Sequence, residues 1–362
     1  KTIKNTYKNK KIGIWGFGKT GQSILHFFAP HTAHISLLEK GTLSDEQKSL
    51  LQKHNVQLIP YEYTEQFLEY NDLIIPSPGV DVLPYYEKHA DKIVSELALF
   101  ARHNHTKTIA VTGSVGKTTT VTLLTELLNR SGFSARSGGN IGTPLLSLLE
   151  DTQTYDFLVL ELSSFQLELP HTYAPTYAAI TNIFPNHLDR HRDFELYAKA
   201  KGNLLTHQTD QDWAIIPFAF LELCIEYTGQ QKVMWVSEDA FQEYVTPELT
   251  EITFAQNWQI IFSIFELLGK QPEQLLSLCA NLQAPEHRFE KVGTYNQITF
   301  YNDSKATIPE STLESLKRCK SKTVILFLGG VSKGVNRTPF IAQLPSHLKH
   351  VLCFGKEAEK IG

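Results

Sequence analysis

Apolar residues along this chain come in short runs, each followed by a glycine-rich or polar turn and then by a stretch with helical spacing. Lys11 to Trp15 predicts a strand and Ser23 to Phe28 a helix. His34 to Leu38, Val56 to Ile59 and Leu73 to Ile75 predict further strands, with helix-like segments between them. Such alternation builds a parallel sheet. Pro76-Ser77-Pro78-Gly79 reads as a rigid turn just past a strand end. The polar stretch Arg102 to Thr106 closes this unit. The pattern then restarts with a strand, Thr108 to Val111, and a helix over Val121 to Asn129. Strands follow at Phe157 to Leu160 and Ala178 to Thr181, and helices at Phe194 to Leu205, Asn257 to Leu268 and Pro272 to Leu282. Ala284-Pro285 breaks the run. A third unit has strands at Ile298 to Tyr301, Val324 to Leu328 and His350 to Phe354, with helices at Pro309 to Lys317 and Pro339 to Leu344. The expected fold class is α/β with three domains, 1–104, 105–286 and 287–362. A doubly wound sheet usually holds about 5–6 strands, so the third domain is expected to be small or truncated.

Composition narrows the function classes. A formal net charge of −4 gives no electrostatic case for nucleic acid or an anionic membrane. No apolar run reaches the roughly 18–20 residues of a membrane span. Cys224, Cys279, Cys319 and Cys353 are scattered, with no metal or disulfide spacing. The expectation is a cytoplasmic monomer.

The strongest chemical signal is Thr112-Gly113-Ser114-Val115-Gly116-Lys117-Thr118-Thr119-Thr120, between a strand and a helix. Glycines turn backbone N–H groups toward phosphates, and the helix N-terminus adds positive potential. Lys117 would reach the terminal phosphates and Thr118 would ligate Mg²⁺. Val111 stands where a strict Walker spacing needs glycine, so the loop is a relative of the P-loop. Gly16-x-Gly18-x-x-Gly21 matches a dinucleotide fingerprint, with Glu39 18 residues beyond. It suits any diphosphate on a helix N-terminus, or simply a tight helix–sheet turn. Glu161 at a strand end, His187 in a loop and Lys201 in a helix could build a metal centre. A surface histidine and a solvated lysine are the plain alternatives. His187 and His191 are spaced i, i+4, without an evident third zinc ligand. Asn302 to Thr307 and Gly329 to Gly334 follow strands, where open α/β sheets bind ligands. Arg288 sits at the domain junction.

Together these motifs resemble the Mur ligase family, in its D-glutamate-adding branch. The resemblance runs from about Lys11 to the chain end. Gly138-Gly139-Asn140-Ile141-Gly142, Glu161-Leu162-Ser163-Ser164-Phe165-Gln166-Leu167 and Asn302-Asp303-Ser304-Lys305-Ala306-Thr307 add to the two glycine loops and Ser77-Pro78-Gly79. It implies a UDP-binding Rossmann-like domain, a P-loop-type ATPase domain and a mobile Rossmann-like C-terminal domain. It implies ligation of D-glutamate to a UDP-linked muramoyl-alanine, through an acyl phosphate made from ATP. By that resemblance Gly18, Lys19, Thr20, Glu39, Lys40, Ser77 and Gly79 would hold the uridine diphosphate. Gly113, Ser114, Gly116, Lys117, Thr118, Thr119 and Asn257 would hold ATP, with Arg288, Asp303 and Lys305 closing from the third domain. Thr118 and Glu161 would hold one Mg²⁺, and His187 with a carbamylated Lys201 a second. Asn140, Ser163 and His187 would meet the muramoyl-peptide end, and Thr307 and Lys333 would place D-glutamate. Lys117, Asn140, His187 and Lys201 form the implied catalytic set.

The chain departs from the family pattern at Val115 (usually Asn), Asn186 (Asp), Gln256 (His), Ile260 (Asn), Ile308 (often Asn) and Ser332 (Asp). The family's closing D-glutamate loop has no counterpart in it. A relative that binds nucleotide without efficient turnover, and an amide ligase with another acceptor, are the competing expectations. An NAD-linked oxidoreductase is disfavoured by Gly116-Lys117-Thr118.

Overall fold

A computed structural model describes residues 6–319, 323–330, 338–356 and 358–361. In the first unit β1 (Lys11–Trp15), β2 (His34–Leu38), β3 (Gln57–Ile59) and β4 (Leu73–Pro76) form a parallel sheet in the order β3-β2-β1-β4. The period-2 alternation of side chains sends Ile12, Ile14 and Leu37 into one core and Trp15, Leu38 and Ile74 into another on the opposite face.

The second sheet is parallel throughout, with β10 (Lys232–Val236), β9 (Trp213–Pro217), β8 (Tyr177–Ile180), β5 (Thr108–Thr112), β7 (Phe157–Glu161) and β6 (Ala135–Gly139) in that order. β5 lies between β7 and β8, so the chain leaves it toward one side and returns on the other. Crevices at such switch points are where α/β sheets bind ligands, at the strands' C-terminal ends. Ile109, Val111 and Val159 pack under the helices Lys117–Arg130 and Ala255–Leu267, while Ala110, Leu158 and Leu160 fill the other face. Nine consecutive residues of the latter helix, Asn257 to Phe265, are buried. Ile260 is among them, inside the core rather than at a nucleotide.

The first two units pack on each other. Leu146 of the second unit belongs to the first unit's core, and Ser147 Oγ donates to Ser23 Oγ at 2.8 Å.

The third unit differs from expectation. Ile298 to Tyr301 was expected in a parallel unit. Instead β12 (Ile298–Asn302) pairs antiparallel with β11 (Glu290–Tyr295), a strand the apolar pattern did not show because it is largely polar. Asn296 and Gln297 both have positive φ, 45° and 65°, as a two-residue hairpin turn of matching twist requires. β13 (Val324–Gly329) and β14 (Leu348–Phe354) form a separate parallel pair. Val292, Ile298 and Phe327 are exposed on these small sheets.

Candidate active site between the second and third units

The helix Lys117–Arg130 starts four residues earlier than its apolar periodicity suggests, directly at Gly116. Gly116 takes φ +89° and Gly113 φ +149°. A side chain at Gly113 would overlap Thr181 Oγ1, and one at Gly116 would overlap the Asn257 amide. Only glycine lets the loop fold this tightly. Asn182, just past β8, accepts through Oδ1 from the N–H groups of Ser114 (3.1 Å) and Val115 (2.8 Å). Ser114 Oγ bonds the Phe184 carbonyl and the Tyr197 hydroxyl, each at 2.9 Å. The loop is thus braced from β8 before any ligand arrives. Val115 contributes through its backbone, so its apolar side chain does not disturb this brace.

Lys117 and Thr118 fall in the helix's first turn, and Thr119 is buried beneath them. Lys117 Nζ donates to the Gly113 carbonyl at 2.7 Å. Thr118 Oγ1 donates to Glu161 Oε2 at 2.7 Å, and Asn140 Nδ2 donates to Glu161 Oε1 at 2.6 Å. Glu161 is the last residue of β7, in register with Val111 and Gly139. The sheet itself therefore sets its carboxylate beside the glycine loop. Arg288, from the start of the third unit, reaches across and donates Nη2 to Thr118 Oγ1 at 2.9 Å.

Lys201 departs most from a solvated helix lysine: it is 1% exposed. Its Nζ donates to the Gly113 carbonyl at 2.8 Å. Burial, and then the nearby charge of Lys117, push its pKa well below the ordinary lysine value, against the pull of Glu161.

His187 takes φ +54° as it opens the turn Leu188–His191, with its N–H on Asn186 Oδ1 at 2.9 Å. For a non-glycine residue that conformation costs about 1–2 kcal/mol, so the surrounding contacts must hold it. His187 and His191 do not converge on one point. The His191 ring lies on Ser164 Oγ at 2.9 Å and stacks on Phe165 at 5.2 Å. Burial lowers its pKa to about 4. Among the described residues no group of three His, Cys, Asp or Glu side chains is placed to hold a metal ion.

A cavity of about 300 Å³ gathers these groups. Its walls carry Ser114, Gly116, Lys117, Thr118, Asn140, Glu161, Ser163, His187 and Lys201 from the second unit, and Arg288, Lys305 and Thr307 from the third. Ser163 also caps the helix Ser164–Glu168 in a reciprocal box with Gln166. Ile308, noted above as a departure from the family pattern, lines the same cavity, as does Ser311, which no chemical signal in the sequence singled out. Asp303 stands behind the wall, accepting from the Phe289 N–H (3.0 Å) and the Ser315 hydroxyl (2.6 Å), and burial raises its pKa. Asn257 packs below Gly116 with Nδ2 on Thr253 Oγ1 at 2.7 Å, and its buried Oδ1 has no hydrogen-bond partner among the described residues. Lys333 lies outside the described residues.

The first glycine loop is separate from this cavity. Gly18 and Lys19 are exposed at the N-terminus of the helix Lys19–Phe28, and Thr20 follows them. Glu39 spans the loop, accepting from the N–H groups of Phe17 (2.6 Å) and Gly41 (2.7 Å). Lys40 extends toward the Tyr61 ring at 5.8 Å. Ser77 Oγ donates to the Gly16 carbonyl at 3.1 Å, and Gly79 beside it is exposed. The residues expected to hold the uridine diphosphate thus share one rim.

Comparison with known proteins accounts for this arrangement. Residues 111–270 match the Mur ligase middle domain, and residues 10–92 match the Mur ligase MurD-like N-terminal domain. The UDP-N-acetylmuramoylalanine–D-glutamate ligase of Koribacter versatilis is 32% identical over 386 aligned residues, spanning 98% of this chain and 84% of the relative. The chain belongs to the Mur ligase family. Its counterpart in Pasteurella multocida, of the same name, is 29% identical over 99% of this chain and 86% of its own length. Among solved structures, the Mur ligase fold is shared with the MurF ligase of Thermotoga maritima in complex with ADP, at a TM-score of 0.61 and 16% identity over 99% of this chain and 85% of that one. MurF from Acinetobacter baumannii matches at a TM-score of 0.58 and 17% identity, covering 95% and 80%.

Proposed function

We propose that this Mur ligase joins D-glutamate to UDP-N-acetylmuramoyl-L-alanine at the expense of ATP, making a peptidoglycan precursor. The carrying observation is the cavity in which Lys117, the Thr118–Glu161 pair and buried Lys201 face Arg288 of the third unit. The identity of the two joined molecules rests on the named relatives.

In this reading, a carboxylate oxygen of the muramoyl-alanine attacks the γ-phosphorus of ATP. The bond to the β-phosphate oxygen breaks and ADP leaves. The free amine of D-glutamate then attacks the acyl carbon, phosphate departs, and the nitrogen loses a proton. Little covalent help is required, so positioning and charge neutralisation carry the rate. The Gly116 N–H, with Thr119 in the first helical turn, cradles the phosphates, Ser114 lines the same pocket, and Lys117 neutralises their charge. Asn140 and Ser163 orient the muramoyl-peptide end, with His187 beside the reacting carboxylate. Arg288, Lys305 and Asp303 act on ATP from the third unit, Asn257 on the nucleotide from below the loop, and Thr307 and Lys333 on D-glutamate. Gly18, Lys19, Thr20, Glu39, Lys40, Ser77 and Gly79 hold the uridine diphosphate.

Mg²⁺, when bound, would offset the negative charge of the phosphates. Thr118 and Glu161 are oxygen donors already 2.7 Å apart and fit one such ion. An amine does not suit so hard an ion, but the buried Lys201 amine, in its uncharged form, can add CO₂ and lose a proton to become a carbamate. That carbamate, with His187, would serve a second ion. We place the domain boundaries at 1–104, 105–286 and 287–362. No described helix is long and apolar enough to cross a membrane. Dependence on ATP and a UDP-linked precursor favours action in the cytoplasm.

The test is phosphate release from ATP with UDP-muramoyl-alanine, comparing D-glutamate with L-glutamate, D-aspartate and no amino acid. Release that requires D-glutamate supports the proposal. Equal release with every amine, or none with any, overturns it.

A further inference from the structure

Arg190 is a cation that the proposed reaction does not use. It lies three residues after His187, on the same short turn, and its side chain is 15% exposed. Its Nη2 donates to Glu168 Oε2 at 2.9 Å and to the Val80 carbonyl at 3.3 Å. Its Nη1 lies 2.6 Å from Asp81 Oδ1, as a charge contact rather than an aligned hydrogen bond. Glu168 ends the second unit's helix Ser164–Glu168. Val80 and Asp81 belong to the first unit and directly follow Ser77-Pro78-Gly79. One guanidinium therefore joins the first unit's substrate loop to the turn that presents His187.

The same turn is held on its other side. His191 Nδ1 lies 3.5 Å from Glu168 Oε1, and its ring covers Phe165, whose edge also meets His187 at 5.0 Å. Arg190 lies over that Phe165 ring at 5.7 Å. His187 and Arg192 both hold positive φ, 54° and 72°, so the turn is bracketed by two non-glycine residues in conformations that L side chains rarely adopt. Such a turn persists only where contacts over-determine it, and Arg190 supplies the contacts that cross to the first unit.

We propose that Arg190 is a positioning residue that couples His187 to the first unit's loop, so that seating the uridine-linked substrate on Ser77–Asp81 sets the imidazole at the reacting carboxylate. A planar fork spreads its donors over separate nitrogens and so reaches a carbonyl and two carboxylates at once, whereas a lysine must bring all three to a single nitrogen. The proposal builds on the ligase reading given above, and two separate measurements test them.

The first uses ligand-free protein with ring-labelled histidine, followed by NMR. The His187 resonances, assigned with H187Q, should move in D81N and in R190Q, while those of His171, packed on Tyr173 and His207, stay in place. Asp81 is 56% exposed, so D81N keeps the test open if R190Q does not fold. The second is steady-state kinetics. D81N should raise the KM for UDP-muramoyl-alanine by about fivefold and leave the KM for ATP unchanged. R190Q should also lower kcat by about tenfold or more, and R190K should regain the thermal midpoint but not kcat. Unmoved His187 signals in both variants would overturn the proposal. So would a joint rise of both KM values with a fallen midpoint, which is what plain structural damage produces. If the unmodified chain releases no phosphate, the ligase reading fails while the NMR result still decides the role of Arg190.

Discussion

The chain folds a glycine turn between strand and helix twice, and the two turns serve different chemistry. After β1, Gly18 and Lys19 stand open to solvent, and the nearest carboxylate, Glu39, is occupied with the Phe17 and Gly41 N–H groups. After β5, the loop is braced by Asn182, with Lys117 on it, Glu161 beside it, Lys201 buried under it and Arg288 over it. Both turns offer a helix N-terminus to a phosphate. Among the described residues, only the second surrounds that place with cations and a buried carboxylate, the arrangement that stabilising a phosphoryl group in transfer calls for. A glycine fingerprint marks where a phosphate can rest; the strands on either side decide whether it can react.

Substitutions that separate the two turns sharpen this contrast. The largest effect is expected for Lys117→Ala, which removes the loop's cation. Phosphate release should fall by about 10²–10³-fold or more, measured with saturating UDP-muramoyl-alanine, whose affinity should hold in calorimetry. Lys201→Ala should lower release by about 10²-fold, and high bicarbonate should not restore it. Full activity would remove the carbamate. Lys201→Met should raise the thermal midpoint, because it replaces a buried amine with an apolar chain of similar length; a lowered midpoint would contradict the burial argument.

Gly116→Ala and Gly21→Ala form a crossed pair. A side chain at Gly116 would strike Asn257, and one at Gly21 would strike the Gly16 carbonyl oxygen. Gly116→Ala should weaken ATP binding by about tenfold or more and Gly21→Ala should do the same to the UDP-linked substrate, each with a stability cost of about 1–3 kcal/mol. Equal loss of both ligands in either variant would break the division of labour.

A last effect, on stability and not on either ligand, concerns Glu96 at the contact between the first two units. It is 3% exposed, its Oε1 accepts the Leu146 N–H at 3.2 Å, and its Oε2 has no hydrogen-bond partner among the described residues. Burial raises its pKa to about 7. The raised folded-state value means stability is full below the unfolded carboxyl pKa, about 4.3, and falls as pH climbs to about 7. Glu96→Gln should flatten that fall and stabilise the protein at pH 8 by on the order of 3 kcal/mol. Denaturation across pH 4–8 measures it.

Much of the scaffold was legible. The runs at Lys11–Trp15 and His34–Leu38 are strands with those very bounds, because short apolar runs closed by glycine leave few alternatives. β6 is not legible in the sequence, since Ala135–Gly139 has small and polar residues and becomes a strand by pairing at the sheet edge with β7. β11 was hidden by its polarity and the Asn296-Gln297 turn by the absence of glycine. At the site, Lys117, Thr118 and Glu161 were nameable from local pattern. His187 and Lys201 were not distinguishable from ordinary surface residues except through family likeness. Burial and backbone strain mark them out, and neither is a local property of the chain.

The order of residues settled the local chemistry. It set two glycine turns, a lysine and a threonine in the first turn of a helix, and a glutamate at a strand end, because those follow from backbone sterics and side-chain periodicity over a few residues. Tertiary packing settled which groups meet. Strand order put Glu161 next to Thr118 across 43 residues of chain, and inter-unit contact brought Arg288 to the same hydroxyl across 170. Desolvation at Lys201 is likewise a property of everything packed around it, and no stretch of sequence carries it alone.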